Sequence, residues 1–166
     1  FYLFEGVMPN KPKVAMEIWD VEPDEWAPAA LSNFKDVASD PAAWAKKCVE
    51  EYGAQAIVLQ LKSTDPNDKN TGADQAAATV KKVSAAIDVP LIIWGCAVPA
   101  KDEEVLKKIC EECQGANLTL GPVEEKNEKM DYIFVKEIAK KIHDYEYRRE
   151  LIDDFKSQTI QAKKAF

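Results

Sequence analysis

Carboxylates, an amine, hydroxyls and amides gather where this sequence turns from apolar to polar. Lys62, Ser63, Thr64, Asp65 and Asn67 follow the apolar run AQAIVLQL at residues 54–61. Asp65-Pro66-Asn67-Asp68 is a turn sequence in any case, because Asp and Asn bond their own backbone and proline presets φ. Trp19 and Asp20 follow an earlier apolar run, Gly95 and Cys96 a later one, and Gly121 the last. Glu17 lies inside the first run. Facing inward it would be a buried carboxylate that needs a partner or a raised pKa; facing outward or at an edge it would be ordinary. Gly95 permits close backbone approach, or is a turn glycine. Cys96 ligates nothing alone and reads as core packing.

Cys110 and Cys113 have the spacing of half a metal site, but they sit in a helical pattern with no second pair, and the single histidine, His143, lies far along the chain. An iron-sulfur cluster would want four converging thiolates. None is expected here, nor any other metal site.

A repeating frame must position these residues. KVAMEIW (13–19), AQAIVLQL (54–61), VPLIIWGC (89–96) and ANLTL (116–120) are short runs rich in Val, Ile and Leu, the pattern of strands buried on both faces. Between them lie helical patterns. Asp40-Pro41 supplies a cap and a first-turn proline for a helix with an inner stripe of Trp44, Ala45, Cys48, Val49 and Tyr52, stopped by Gly53. The next helix turns Ala76, Ala77, Val80, Val83, Ser84 and Ile87 inward, with Thr71 or Asp74 as its cap. Residues 100–114 form another, with Val105, Leu106, Ile109 and Cys113 inward and Gly115 at its end. Residues 20–40 form a long loop that Trp26, Leu31 and Phe34 tack onto the body.

Strand–helix–strand repeats make parallel βα units with right-handed crossovers. The predicted architecture is α/β, a TIM-barrel type left incomplete at about four strands, since a full barrel usually needs about 250 residues. Residues 1–123 are the expected partial barrel domain and 124–166 a helical segment. There, Met130, Phe134, Ile138, Ile142, Tyr145, Ile152, Phe155 and Thr159 recur mostly at helical spacing. That is one long amphipathic helix or a pair, laid on the sheet or offered to another subunit.

A net charge of -7 with no basic stripe excludes nucleic acid as a partner. No apolar run reaches the roughly 20 residues that span a bilayer, and no signal peptide is visible. A cytoplasmic location is the expectation. The start at Phe1 rather than Met reads as a trimmed, processed or excerpted chain.

Four stretches carry a family resemblance: FYLFEG…KPKVAMEIWDVEPD, DPAAWAKKCVEEYGAQAIVLQLKSTDP, DQAAATVKKVSAAIDVPLIIWGC and KDEEVLKKICEECQGANLTLGPVEEKN. They resemble the small, or delta, subunit of the corrinoid iron-sulfur protein of the acetyl-CoA decarbonylase/synthase system, from residue 1 to about Asn127. After that point no likeness is apparent. The resemblance implies a TIM barrel that holds and shields a cobamide shared with a large subunit, which carries the iron-sulfur cluster. It implies a cobalt that takes a methyl group from a methyltetrahydropterin-dependent methyltransferase and passes it to acetyl-CoA synthase, in the Wood-Ljungdahl route of carbon fixation. The chain is then one member of a heterodimer in a methyl-transfer complex, not a catalyst alone.

In such a barrel ligands meet the loops after the strands, so Glu17, Lys62, Thr64, Asp65, Asn67, Gly95 and Gly121 become the candidate cofactor-binding residues, with no catalytic residue among them. Two other readings stand beside this one. One is a stand-alone pterin-dependent methyltransferase barrel, weakened by the absence of a clear acid/base pair at the strand ends. The other is a truncated barrel fragment acting only as an interaction module.

Replacing Ala77 or Val83 with Asp should unfold the domain, because an unpaired charge against the sheet costs several kcal/mol. Circular dichroism melting reads this directly, and unchanged melting in both variants would disprove the inner-face assignment.

Overall fold

The computed structural model describes residues 11–116 and 118–122. The elements run β1 (Ala15–Trp19), α1 (Pro28–Leu31), α2 (Pro41–Glu50), β2 (Ala56–Gln60), a 3-10 turn (Lys62–Thr64), α3 (Ala73–Ala86), β3 (Leu91–Trp94), α4 (Pro99–Glu112) and β4 (Leu118–Gly121). The strands form one sheet in the order β1-β2-β3-β4, every neighbouring pair parallel. The chain is therefore α/β, a four-stranded parallel sheet interleaved with helices. The predicted segment 124–166 and His143 lie outside the described residues, as do residues 1–10.

Parallel neighbours taken in chain order require a crossover each time, and right-handed crossovers put every helix on the same face. Burial follows that rule. Ile18, Ile57, Leu59, Leu91 and Ile93 are buried on the helix side, where α2 packs on α3 and α3 on α4. Their strand neighbours alternate to the other face: Glu17, Trp94 and Thr119 are exposed there, and Val58, Gln60 and Ile92 are half-buried. No described element covers this second face.

The helix boundaries have local causes. The Asp40 carboxylate accepts the Ala42 N–H at 3.0 Å, with Pro41 at the first helical position. Trp44, Ala45 and Cys48 are buried as expected, and burial pushes the Cys48 thiol up to about 11, in keeping with a packing role. Tyr52 departs from the predicted stripe. It lies past the end of α2, in the turn to Gly53 (φ +66°), and is 46% exposed while its ring packs on Phe34.

Neither expected cap of α3 serves. Its N-cap is Gly72, without a side-chain bond; the Thr71 N–H closes the preceding loop on the Ser63 carbonyl, and Asp74 pairs with Lys108 of α4 at 2.8 Å. Ser84 and Ile87 are only half-buried, Ile87 because the helix ends at Ala86. The stripe of α4 stands: Val105, Leu106, Ile109 and Cys113 are buried, and the Cys113 thiol lies 3.9 Å from the Ala77 carbonyl.

The 20–40 stretch is not all loop, since it contains α1 and a run of turns. Its anchoring is aromatic. Trp26 packs edge-on against Trp19 (5.1 Å between centroids) and Trp44 (5.8 Å), and Phe34 packs on Trp44 at 5.8 Å. Such pairs add to the area they bury.

Removing the α2 cap with Asp40→Ala should cost about 1 kcal/mol. Differential scanning calorimetry should show a melting point lower by a few degrees; an unchanged transition would mean the cap contributes nothing.

Candidate functional site

Hydrogen bonds that continue the ladder past the strands draw four loops to one edge. The Asp20 N–H donates to the Gln60 carbonyl (3.2 Å), Leu61 N–H to Trp94 (2.8 Å), and Gly95 N–H to Gly121 (2.9 Å). Trp19, Asp20, Lys62, Ser63, Thr64, Gly95, Cys96 and Gly121 therefore share the C-terminal rim of the sheet. Asp65 and Asn67 stand further out, and Glu17 lies two residues deeper on the open face.

Across that face the register sets Trp19 beside Gln60, Gln60 beside Trp94, and Trp94 beside Gly121. Two indoles thus flank an amide. Trp94 is 43% exposed, and a Cβ on Gly121 would meet its ring at 3.4 Å. Gly121 lets the indole lie flat at the end of the row. The Lys62 ammonium sits 4.7 Å from the centroid of Trp19, within cation–π range. On its other side the Trp19 Nε1–H donates to the Glu17 carboxylate at 2.9 Å. Glu17 is an exposed acceptor on an edge strand, not a buried carboxylate.

The remaining candidates are occupied with one another. Asp20 accepts the Ser63 N–H at 2.9 Å and, through its second oxygen, the Ser63 hydroxyl. Thr64 is fully buried, its hydroxyl donating to the Leu61 carbonyl at 2.8 Å. Asp65 accepts the backbone and side-chain N–H groups of Asn67 at 2.8 and 3.1 Å, a closed Asx turn.

Gly95 is approached closely, and by a side chain of this chain. A Cβ there would fall 2.3 Å from Oδ1 of Asp102, which also accepts the Cys96 N–H at 2.8 Å and the Cys96 thiol at 3.3 Å. Burial raises the thiol's pKa, and the Thr64 hydroxyl opposes that shift.

Sequence reasoning missed Asp102 and Trp94. Asp102 stands in the acidic string Lys101-Asp102-Glu103-Glu104, which looks solvent-facing, yet it is buried. The available signal was an acid in the first turn of a helix that follows a glycine-containing turn. Trp94 closes a strand and in sequence reads only as apolar; its exposure follows from the uncovered face.

The rim carries two indoles, an amide and a cation, while both Asp20 oxygens are engaged and Asp102 is enclosed. Among the described residues no three His, Cys, Asp or Glu side chains group so as to hold a metal ion, and no helix is long and apolar enough to cross a membrane.

A parallel βα unit array with its polar residues at the strand ends is a class shared by many binding and catalytic proteins. The family is narrower. Residues 1–156 match the model of the CO dehydrogenase/acetyl-CoA synthase delta subunit, and the chain belongs to that family. It is similar to acetyl-CoA decarbonylase/synthase complex subunit delta 1 of Methanosarcina thermophila, 38% identical over 140 residues, covering 84% of this chain and 31% of the relative. Subunit delta of Methanocaldococcus jannaschii is 36% identical over 140 residues, 84% and 34% of the two chains. That of Archaeoglobus fulgidus is 36% identical over 121 residues, 73% and 26%. The chain thus spans about a third of the length of these curated relatives. The expected end of the resemblance near Asn127 is corrected, since the family match continues to residue 156.

Two outcomes test this geometry. Gly95→Ala should cost about 1–3 kcal/mol through overpacking, and Asp102→Ala in the same chain should return part of it; equal and additive losses would mean the two do not touch. Burial also lifts the Asp20 pKa, against the Ser63 hydrogen bonds. The folded protein takes this proton at a higher pH than the unfolded chain, so ionised Asp20 lowers stability and the loss is recovered as pH falls through the folded value. Measured by urea midpoints against Asp20→Asn, the wild type should gain as pH is lowered toward the ordinary carboxylate range; a constant difference would refute it.

Proposed function

We propose that this chain is the small-subunit part of a corrinoid methyl carrier, helping to hold and shield a cobamide bound by the large subunit. The observation that carries the reading is the family match through residue 156, over a chain whose described strands deliver an indole–amide–indole row with a neighbouring lysine to one rim. Those groups fit a corrin. The exposed Trp94 offers flat apolar surface at the rim, while Gln60, Lys62, Asp65 and Asn67 offer partners for an amide-rimmed edge. A cobamide supplies a cobalt that carries a methyl group. The chain's own part is to seat the ring, limit water at its face and keep the rim polar.

The finer architecture in this proposal is a TIM-type barrel. All-parallel sheets occur almost only with both faces covered, and here one face and both edge strands lack a described partner. The relatives carry about twice as much further sequence, enough for the βα units that would close eight strands around the open face. In this reading Val58 and Ile92 point into the barrel interior, and Glu17, exposed on the open face here, would be covered there with the Trp19 Nε1–H as its partner. The partners are the large subunit, a methyltetrahydropterin-dependent methyltransferase and acetyl-CoA synthase, in the cytoplasm, and methyl transfer needs the complex.

Co-expressed with a large subunit, this chain should co-purify with a corrin absorbance band. Trp94→Ala should reduce the retained absorbance several-fold with melting unchanged. Methyl transfer from methyltetrahydrofolate by this chain alone, with no corrin retained, would overturn the proposal.

A further inference from the structure

We propose that Asp20 is a positioning residue that sets the rim loop after β2 and, through it, holds the Lys62 ammonium against the Trp19 indole. Asp20 belongs to the β1 side of the rim and Ser63 to the β2 side. The carboxylate is filled by Ser63, one oxygen taking its N–H at 2.9 Å and the other its hydroxyl. Ser63 is also the base of the loop, since its carbonyl accepts the Thr71 N–H at 2.8 Å and closes residues 64–70 into a cycle. The same buried serine is thus tied to the strand edge on one side and to its own loop on the other.

Lys62 is the residue immediately before this anchor, and Trp19 the residue immediately before Asp20. Asp20–Ser63 and Trp19–Lys62 are therefore two adjacent rungs between the same two loops. A lysine side chain is long and mobile, and the cation–π contact of an exposed pair is worth only about 0.5–1 kcal/mol. Such a contact is kept in one place only if the backbone below it is fixed, and the lower rung fixes it. Bonds to a charged acceptor in a half-buried setting are stronger than neutral ones, so the carboxylate rung governs the cationic one.

This inference uses the proposed cobamide site only for what the fixed cation faces. It is tested without cofactor. In 15N–1H spectra the chain's four tryptophans give four indole N–H resonances, and Trp19→Phe assigns the one of interest. Ser63→Ala should shift the Trp19 resonance, Lys62→Met should shift it too, and in the Lys62→Met background Ser63→Ala should shift it no further. Trypsin cleavage after Lys69 should become about tenfold faster in Asp20→Ala, in line with loss of a charged hydrogen-bonded pair, and Asp20→Asn, which keeps an acceptor for the Ser63 N–H, should restore most of the protection.

A Trp19 resonance that ignores Ser63→Ala, or that responds equally with and without Lys62, overturns the coupling. Unchanged cleavage in Asp20→Ala overturns the clamp. Should Asp20→Ala fail to fold, Ser63→Ala carries the resonance readout, since it removes the hydroxyl bond while the residue 63 N–H keeps its bond to Asp20. A chain that passes these tests and retains no corrin would sink the cobamide reading and leave this one standing.

Discussion

One constraint governs the rest: four parallel strands follow one another in chain order, and each connection must cross right-handed. That places α2, α3 and α4 on a single face. It makes the helix-side residues Ile18, Ile57, Leu59, Leu91 and Ile93 a buried layer, and it turns every alternate residue toward a surface no described element covers. Because parallel strands end at the same edge, the same constraint gathers the loops that follow them.

The rim then has two tiers. Backbone bonds carry the ladder past the strands, from Leu61 to Trp94 and from Gly95 to Gly121. On top of them sit side chains that spend their polar groups on the backbone beside them. Asp20 holds Ser63, Thr64 holds Leu61, Asp65 holds Asn67 and Asp102 holds Cys96. What this leaves outward is mostly flat and apolar, with Lys62 and Gln60 at hand. The relatives of this chain are named as subunits of a complex.

Much of the fold was legible before any coordinates. Short Val- and Ile-rich runs separated by amphipathic patterns reported the strands and helices, and Asp40-Pro41 and Gly53 reported both ends of α2. Where the reading slipped, the boundary of an element lay elsewhere. Thr71 looked like a helix cap, but α3 begins after Gly72, and the Thr71 N–H closes the preceding loop. Tyr52 had helical spacing, but the helix ended two residues sooner. The candidate site was legible as a set of positions and not as a set of roles: Thr64 is enclosed, and the close approach at Gly95 comes from Asp102.

Local chemistry therefore determined where elements start and stop, that the sheet is parallel, and which loops share an edge, because periodicity and turn propensity act between residues near in sequence. Tertiary structure alone decided which face of the sheet stays open, that Trp94 lies against Gly121, and that Asp102 fills the space beside Gly95. Those outcomes depend on packing and on hydrogen bonds between segments far apart in the chain, whose cost and gain no local pattern records.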